Sequence, residues 1–183
     1  MTDTVTHDIV VKRLFDASPQ QVWKAWTDSA EVMRWWGPDH FTAPAAKMDV
    51  RDGGTSLVCM RSPQGQDMWM TWDYTKVEPG KRLEYVQNLS DEEGRRIDPG
   101  AIGMPPEFPR DVHTVVTVRP VSAKTEVTIT ERTTTSEFML KMSRMGLEQC
   151  LDKMAATFAS LPASPDGRER QTVRQTLEGP PVR

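Results

Sequence analysis

The sequence contains little cysteine and no large excess of either charge. Cys59 and Cys150 are its only cysteines, and neither lies in a Cys-x-x-Cys pair or beside a histidine, so a zinc site of standard spacing is not indicated. We interpret both as reduced, packed thiols of the kind found in a cytoplasm. The 23 Lys and Arg residues are opposed by 26 Asp and Glu residues, which leaves no broad basic surface to hold nucleic acid.

Long apolar segments are also missing. A membrane-spanning helix needs roughly 20 consecutive apolar residues, and no run in the sequence approaches this length. The first residues, "MTDTVTHDIV", lack a basic patch followed by a hydrophobic stretch, which a secretory signal would have. We therefore expect a soluble, cytoplasmic protein without a membrane span.

Motifs that identify catalytic sites are absent as well. The sequence has no Gly-x-Ser-x-Gly, phosphate loop, dinucleotide fingerprint or His-Glu-x-x-His. Of its three histidines, His113 lies on a predicted strand whose alternation places it on the solvated face, opposite Val112 and Val116. We therefore assign no catalytic residue, metal site or cofactor, and an enzymatic role is less favoured than a binding role.

What the sequence has in quantity is methionine and tryptophan. Its 11 methionines and six tryptophans offer large apolar surfaces, and the flexible thioethers adapt to irregular shapes. Such side chains suit either a packed core or an apolar cavity. Chain length favours one domain with a single core.

The N-terminal part predicts a strand followed by two short helices. "IVVKRLF" is a β-branched and aromatic run, and "SPQQVWKAW" follows with Ser18 as cap, Pro19 at the first helical position and Gln21 completing a capping box. A second short helix ends in "RWWGP", where Gly37 and Pro38 stop it.

The middle of the chain predicts six further strands, between Ala46 and Arg132. Their connectors "DGG", "SPQG", "EPGK" and "SAK" are typical hairpin turns, so neighbouring strands should pair in antiparallel fashion. The connector from Ser90 to Arg110 is much longer and contains four prolines, which predicts an irregular surface loop.

A long C-terminal helix is predicted from about Ser136 to Ser160, opened by a capping box at Thr134 and Glu137. Its apolar stripe should pack on the sheet, and the members of that stripe are Leu140, Leu147, Leu151, Met154, Phe158 and Leu161. Phe138, Met142 and Met145 fall on the opposite side. Either the helix breaks near Gly146, or it is straight and this side meets a loop, a ligand or another subunit. Residues 162–183 are expected to form a disordered tail.

Four stretches resemble a known family. They are "SPQQVWKAWTDSAEVMRWWGP", the pair Gly53 and Gly54, "MRSPQG" and "MGLEQCLDKMA". Together they resemble the bacterial branch of the family named after the activator of a heat-shock chaperone ATPase, within the SRPBCC superfamily that includes START and birch-pollen-allergen-like domains. The resemblance implies an α+β helix-grip fold over residues 1–161, in which a curved antiparallel sheet of about seven strands wraps around the long C-terminal helix.

The resemblance also implies an apolar cavity between the sheet and the long helix. We predict that it is lined by ten side chains, which are Trp35, Trp36, Leu57, Cys59, Met70, Trp72, Tyr74, Tyr85, Met142 and Met145. For the adjacent tryptophans two arrangements are open: one indole in the core and the other at the cavity rim, or both closing the open end of the sheet.

Two functions from different classes remain possible at this stage. In the first, the cavity binds a small hydrophobic or aromatic molecule without transforming it. In the second, exposed apolar surface binds a protein, either a chaperone-associated or regulatory partner or a second copy of the chain. A cyclase-like enzyme is a third and weaker alternative.

Overall fold

The structure is a computed structural model that describes residues 5–159. The elements follow the chain as β1 (Val5–Phe15), α1 (Pro19–Thr27), α2 (Ser29–Trp35), β2 (Thr42–Lys47), β3 (Thr55–Arg61), β4 (Asp67–Glu78), β5 (Arg82–Ser90), a 3-10 turn (Pro99–Ile102), β6 (Val112–Val121), β7 (Lys124–Thr135) and α3 (Glu137–Ala159). Leu161 and the predicted tail at residues 162–183 lie outside the described residues.

The seven strands form one antiparallel sheet in the order β1-β7-β6-β5-β4-β3-β2. Every strand from β2 onward pairs with its neighbour in the chain, and β1 closes the order by pairing with β7 over its whole length. The sheet curves around α3, so the predicted α+β helix-grip fold is confirmed. The described residues include no helix long and apolar enough to cross a membrane.

The predicted start of α1 is confirmed by its capping bonds. The Gln21 N–H donates to the Ser18 hydroxyl at 3.2 Å, and the Ser18 N–H donates to the Gln21 side-chain oxygen at 2.8 Å. Pro19 occupies the first turn, where its missing N–H leaves no hydrogen bond unmade. Val22 and Trp26 on the same helix are buried, which anchors α1 to the core.

The first of the six central strands begins earlier than predicted. The sequence pattern suggested a start at Ala46, whereas β2 runs from Thr42 to Lys47 and includes Pro44. Proline is tolerated there because β2 is an edge strand and its pairing with β3 is irregular between Thr42 and Ala45. An isolated proline in the sequence thus concealed an edge strand.

The start of α3 also differs from the prediction. β7 continues through Thr135, so Thr134 lies on a strand and cannot cap the helix. The cap is Ser136, whose hydroxyl accepts a hydrogen bond from the Met139 N–H at 3.3 Å. The predicted helix itself is confirmed as Glu137–Ala159.

The second half of α3 packs as the apolar stripe predicts. Leu147, Leu151 and Met154 are buried, and the half-buried Phe158 makes an edge-to-face contact with Phe15 of β1 at 5.5 Å between ring centres. The helix runs through Gly146 without interruption. Of the two alternatives for its far side, the structure has the uninterrupted helix.

Candidate ligand cavity

A cavity of about 240 Å³ lies beneath the first half of α3. The helix forms its roof, strands β3 to β7 form its floor, and two connecting segments form its ends. The residues that border it are Trp36, Gly37, Pro38, Met60, Met70, Gln87, Asn88, Leu89, Phe108, Pro109, Val112, Glu131, Thr133, Met139, Met142, Ser143, Gly146, Leu147 and Cys150. Most of these side chains are apolar, so the space suits an apolar molecule.

The two adjacent tryptophans have different positions. Trp35 is fully buried, and its indole N–H donates to the Ala25 carbonyl at 2.8 Å. Trp36 borders the cavity, and its buried indole N–H has no hydrogen-bond partner among the described residues. Gly37 follows with φ of +100°, a backbone conformation that side chains disfavour, and this turns the chain from α2 toward β2. One indole therefore belongs to the core and the other to the cavity wall.

Three further aromatic side chains of the predicted site lie behind this wall. Trp72 stacks on Tyr85 at 5.1 Å and meets the edge of Trp36 at 4.9 Å, and Tyr74 meets Tyr85 at 5.7 Å between ring centres. All three are buried, and none of them borders the cavity. Trp72 contacts Trp36 directly, whereas Tyr85 and Tyr74 are linked to it through Trp72, so the contribution of all three rings to the cavity is indirect.

The strand register corrects the expected positions of Leu57 and Cys59. Leu57 pairs with Thr71 and Cys59 with Trp69, whereas Met70 pairs with Val58. Directly paired residues share a face of the sheet, so Leu57 and Cys59 lie on the face turned away from the cavity. The alternation within one strand does not fix its register against the next strand, and a one-residue change of register exchanges the two faces.

The methionines divide in a similar way. Met70 of β4 and Met142 of α3 border the cavity. Met145 does not, and it is 47% exposed on the outer side of the helix. Met60 and Met139 border the cavity in its place. Of the ten side chains predicted, the structure thus brings Trp36, Met70 and Met142 together around one space.

The long loop before β6 forms one end of the cavity through Phe108 and Pro109. It is fastened at its base, where the Arg96 guanidinium donates to both carboxylate oxygens of Asp111 at 2.8 and 2.9 Å. The Thr133 hydroxyl also donates to the Arg110 carbonyl at 3.2 Å. These bonds hold the aromatic ring of Phe108 against the cavity.

Among residues 5–159, Glu131 is the one acidic side chain that borders the cavity. On β7 it follows Val127 and Ile129 at two-residue intervals, and both of those residues are fully buried on the concave face. It is half-buried, and its carboxylate makes no hydrogen bond or ion pair with any residue between 5 and 159. Burial raises the pKa of this carboxyl from 4.5 to about 7.

Sequence reasoning missed Glu131, although a signal for it was present. In "TEVTITER" the residues two and four positions before Glu131 are Ile129 and Val127, so alternation places its carboxylate on the concave face. Phe108 and Gln87 were also missed, the first because the loop had no periodic pattern. Nothing in the local sequence brings Phe108 toward the helix.

The thiol of Cys150 and the phenol of Tyr74 both remain protonated near neutral pH. Burial raises the pKa of Cys150, on the cavity roof, to about 12, and burial also raises the pKa of Tyr74 to about 12. Neither group ionises near neutral pH, so neither is a ready nucleophile. Within residues 5–159 no cluster of three or more His, Cys, Asp or Glu side chains could hold a metal ion.

Comparison with known proteins places this geometry in a family. Residues 16–159 match the model of the family described as Activator of Hsp90 ATPase homolog 1-like protein. No curated protein matches the sequence.

Solved structures with the same fold come from several bacteria. The AHSA1 protein from Silicibacter pomeroyi has 22% identity and a TM-score of 0.67, and the match covers 84% of this chain and 98% of that chain. A protein from Chromobacterium violaceum has 22% identity and a TM-score of 0.66, with coverage of 82% and 95%. A protein from Arthrobacter aurescens has 23% identity and a TM-score of 0.65, with coverage of 89% and 92%. At these identities the likeness concerns the fold.

Proposed function

We propose that this protein, which belongs to the family of Activator of Hsp90 ATPase homolog 1-like proteins, binds a small hydrophobic or aromatic molecule in the cavity beneath α3. The observation that carries the proposal is the cavity itself, whose volume is about 240 Å³. A packed domain rarely leaves such a space unfilled, and ligand sites are typically apolar clefts with a few polar groups.

The lining favours recognition by shape over recognition by many polar contacts. Trp36 and Phe108 offer flat surfaces, and Met70 and Met142 offer flexible ones, so molecules of somewhat different outline can be accommodated. The ten side chains predicted from the sequence remain candidates for contact or support. No cofactor is part of the proposal, and a cytoplasmic location stays a prediction.

Filling the cavity is the sharpest test. Ser143 lies on α3 and borders the cavity, so Ser143→Phe puts a ring into the space while leaving the helix backbone unchanged. We expect a neutral fluorophore such as N-phenylnaphthylamine to bind the wild-type protein saturably, with one site, and to bind the variant roughly tenfold more weakly. Fluorescence titration measures both.

A matched control places the same ring outside the cavity. Lys141 is exposed on the same helix and does not border the cavity, so Lys141→Phe should leave the fluorophore affinity unchanged. Equal loss of affinity in both variants, or no saturable binding to the wild-type protein, would count against a ligand-binding function.

The protein-interaction alternative has one observation in its favour. Phe138, Met142 and Met145 are 68%, 43% and 47% exposed along one side of α3. Lys141 and Glu148 on the same helix carry opposite charges, and a two-fold interface, which brings the same patch of both copies together, can pair them across the interface. This second candidate is therefore a homodimer, tested by sedimentation of the wild-type protein and of Phe138→Asp. A monomer at every concentration would remove it.

A further inference from the structure

The carboxylate of Glu131 stands apart from the other acidic groups of the sheet. Glu126 on the same strand pairs with Arg119 at 2.9 Å, and Asp67 on β4 pairs with Arg61 at 2.6 Å, both at the protein surface. Glu131 faces α3 instead, with Ile9 on one side and Thr114 on the other. Its floor neighbours are apolar or neutral polar side chains, and within residues 5–159 it has no basic partner.

No cation from the neighbouring elements compensates it. The titratable groups that face this region are Tyr85 on β5, Cys150 and Lys153 on α3, and His7 on β1. The Lys153 ammonium donates to the Gly37 and Phe41 carbonyls at 2.9 and 3.0 Å. His7 lies opposite Thr133 and, within the described part of the chain, makes no ion pair with Glu131.

An unpaired charge in an apolar site is costly, so proteins that retain one usually pair it with something. We propose, on the basis of the ligand-binding function above, that the ligand carries a protonated amine on its apolar body and that the Glu131 carboxylate pairs with this cation in the cavity. Trp36 and Phe108 border the same space, and aromatic faces attract organic cations. The raised pKa of Glu131 has the same physical origin, because its ionised form lacks a partner until a cation arrives.

Three matched probes separate this chemistry from simple hydrophobic binding. Naphthylmethylamine, naphthylmethanol and naphthoate share one ring system and differ in charge. We expect calorimetry at about pH 8 to show the amine binding at least roughly tenfold more tightly than the alcohol, and the anion most weakly. Lowering the pH to about 5.5 protonates Glu131. This should reduce the affinity for the amine about tenfold or more and leave the affinity for the alcohol unchanged.

Two variants assign the effect to one side chain. Glu131→Gln should abolish the preference for the amine and its pH dependence, and retained binding of the alcohol reports that the cavity is intact. Glu137→Gln removes a carboxylate from the exposed first turn of α3, away from the cavity, and should change nothing.

The outcomes distinguish this inference from the function on which it rests. Equal affinities for amine and alcohol, tightest binding of the anion, or an unchanged amine preference in Glu131→Gln would overturn the inference and leave ligand binding standing. If none of the three probes binds and the fluorophore also fails, the ligand-binding function is overturned together with it.

Discussion

The two halves of α3 carry similar apolar side chains in different surroundings. In residues 147–159 the side chains of Leu147, Leu151 and Met154 are buried against the sheet. In residues 137–146 Phe138 is largely exposed, Met142 is 43% exposed at the edge of the cavity, and Gly146 roofs the cavity. Apolar composition alone therefore does not separate a helix segment that holds a fold together from one that covers a cavity. What differs is whether the space between helix and sheet is filled by side chains or left as a cavity.

The largest expected effect concerns the packed half. Leu151 is fully buried, so Leu151→Ala removes apolar contacts and leaves a hole, and we expect it to lower the free energy of unfolding by about 2 to 5 kcal/mol. Phe138→Ala removes a larger side chain from the other half and should cost less than about 0.5 kcal/mol. Urea denaturation measures both. A similar loss of unfolding free energy in the two variants would contradict the difference in packing between the two halves of α3.

The next largest effect on stability concerns Glu131, which lies on the sheet beneath residues 137–146 of α3. The pKa of Glu131 rises from 4.5 in the unfolded chain to about 7 in the fold, so the folded state loses stability as pH rises between these values. We expect Glu131→Gln to raise the free energy of unfolding by about 1 to 3 kcal/mol near pH 8 and hardly at all near pH 4.

An acidic residue of the outer face serves as its control. The Arg119 guanidinium beside Glu126 holds the pKa of that carboxyl below its usual range, so Glu126→Gln should bring no stabilisation at the higher pH. Denaturation curves at several pH values measure both variants. A gain for Glu131→Gln that is independent of pH would argue against an ionised, uncompensated carboxylate.

A smaller effect tests the continuity of α3. An added Cβ at Gly146 would meet the Cβ of Pro38 at 3.8 Å, which is an ordinary contact. Glycine inside a helix destabilises the folded state relative to alanine. Gly146→Ala should therefore raise the free energy of unfolding by about 0.5 to 1 kcal/mol. At Gly80, where φ is +76° and the space is open, alanine should destabilise the protein instead. Destabilisation at both positions in thermal melts would indicate that α3 bends at Gly146.

The smallest expected effect is at Met145. This side chain is exposed and does not border the cavity, so Met145→Gln should change the free energy of unfolding by less than about 0.5 kcal/mol and leave fluorophore binding unchanged. Met142 lies one turn earlier and borders the cavity, so Met142→Gln should reduce the affinity for the fluorophore. Loss of binding in Met145→Gln would extend the site to the outer side of the helix.

The sequence by itself determined the fold and much of the core. Period-two runs, hairpin turns and a capping box are local signals, and the seven strands, two short helices and the buried Leu147, Leu151 and Met154 followed from them. Its errors at β2 and at the start of α3 were boundary errors. At both places a local pattern competed with strand pairing that depends on distant residues.

Only the tertiary structure decided which apolar side chains border a space and which fill one. Trp36 and Trp72 are both buried aromatic residues, yet Trp36 borders the cavity, whereas Trp72 lies behind it in contact with Trp36 and Tyr85. The loop that brings Phe108 to the cavity is held by the Arg96–Asp111 pair and by the hydrogen bond from Thr133 to the Arg110 carbonyl, and no periodic pattern in the sequence predicts these contacts. Alternation along one strand indicates the face of a side chain, whereas a cavity depends on how several faces are spaced.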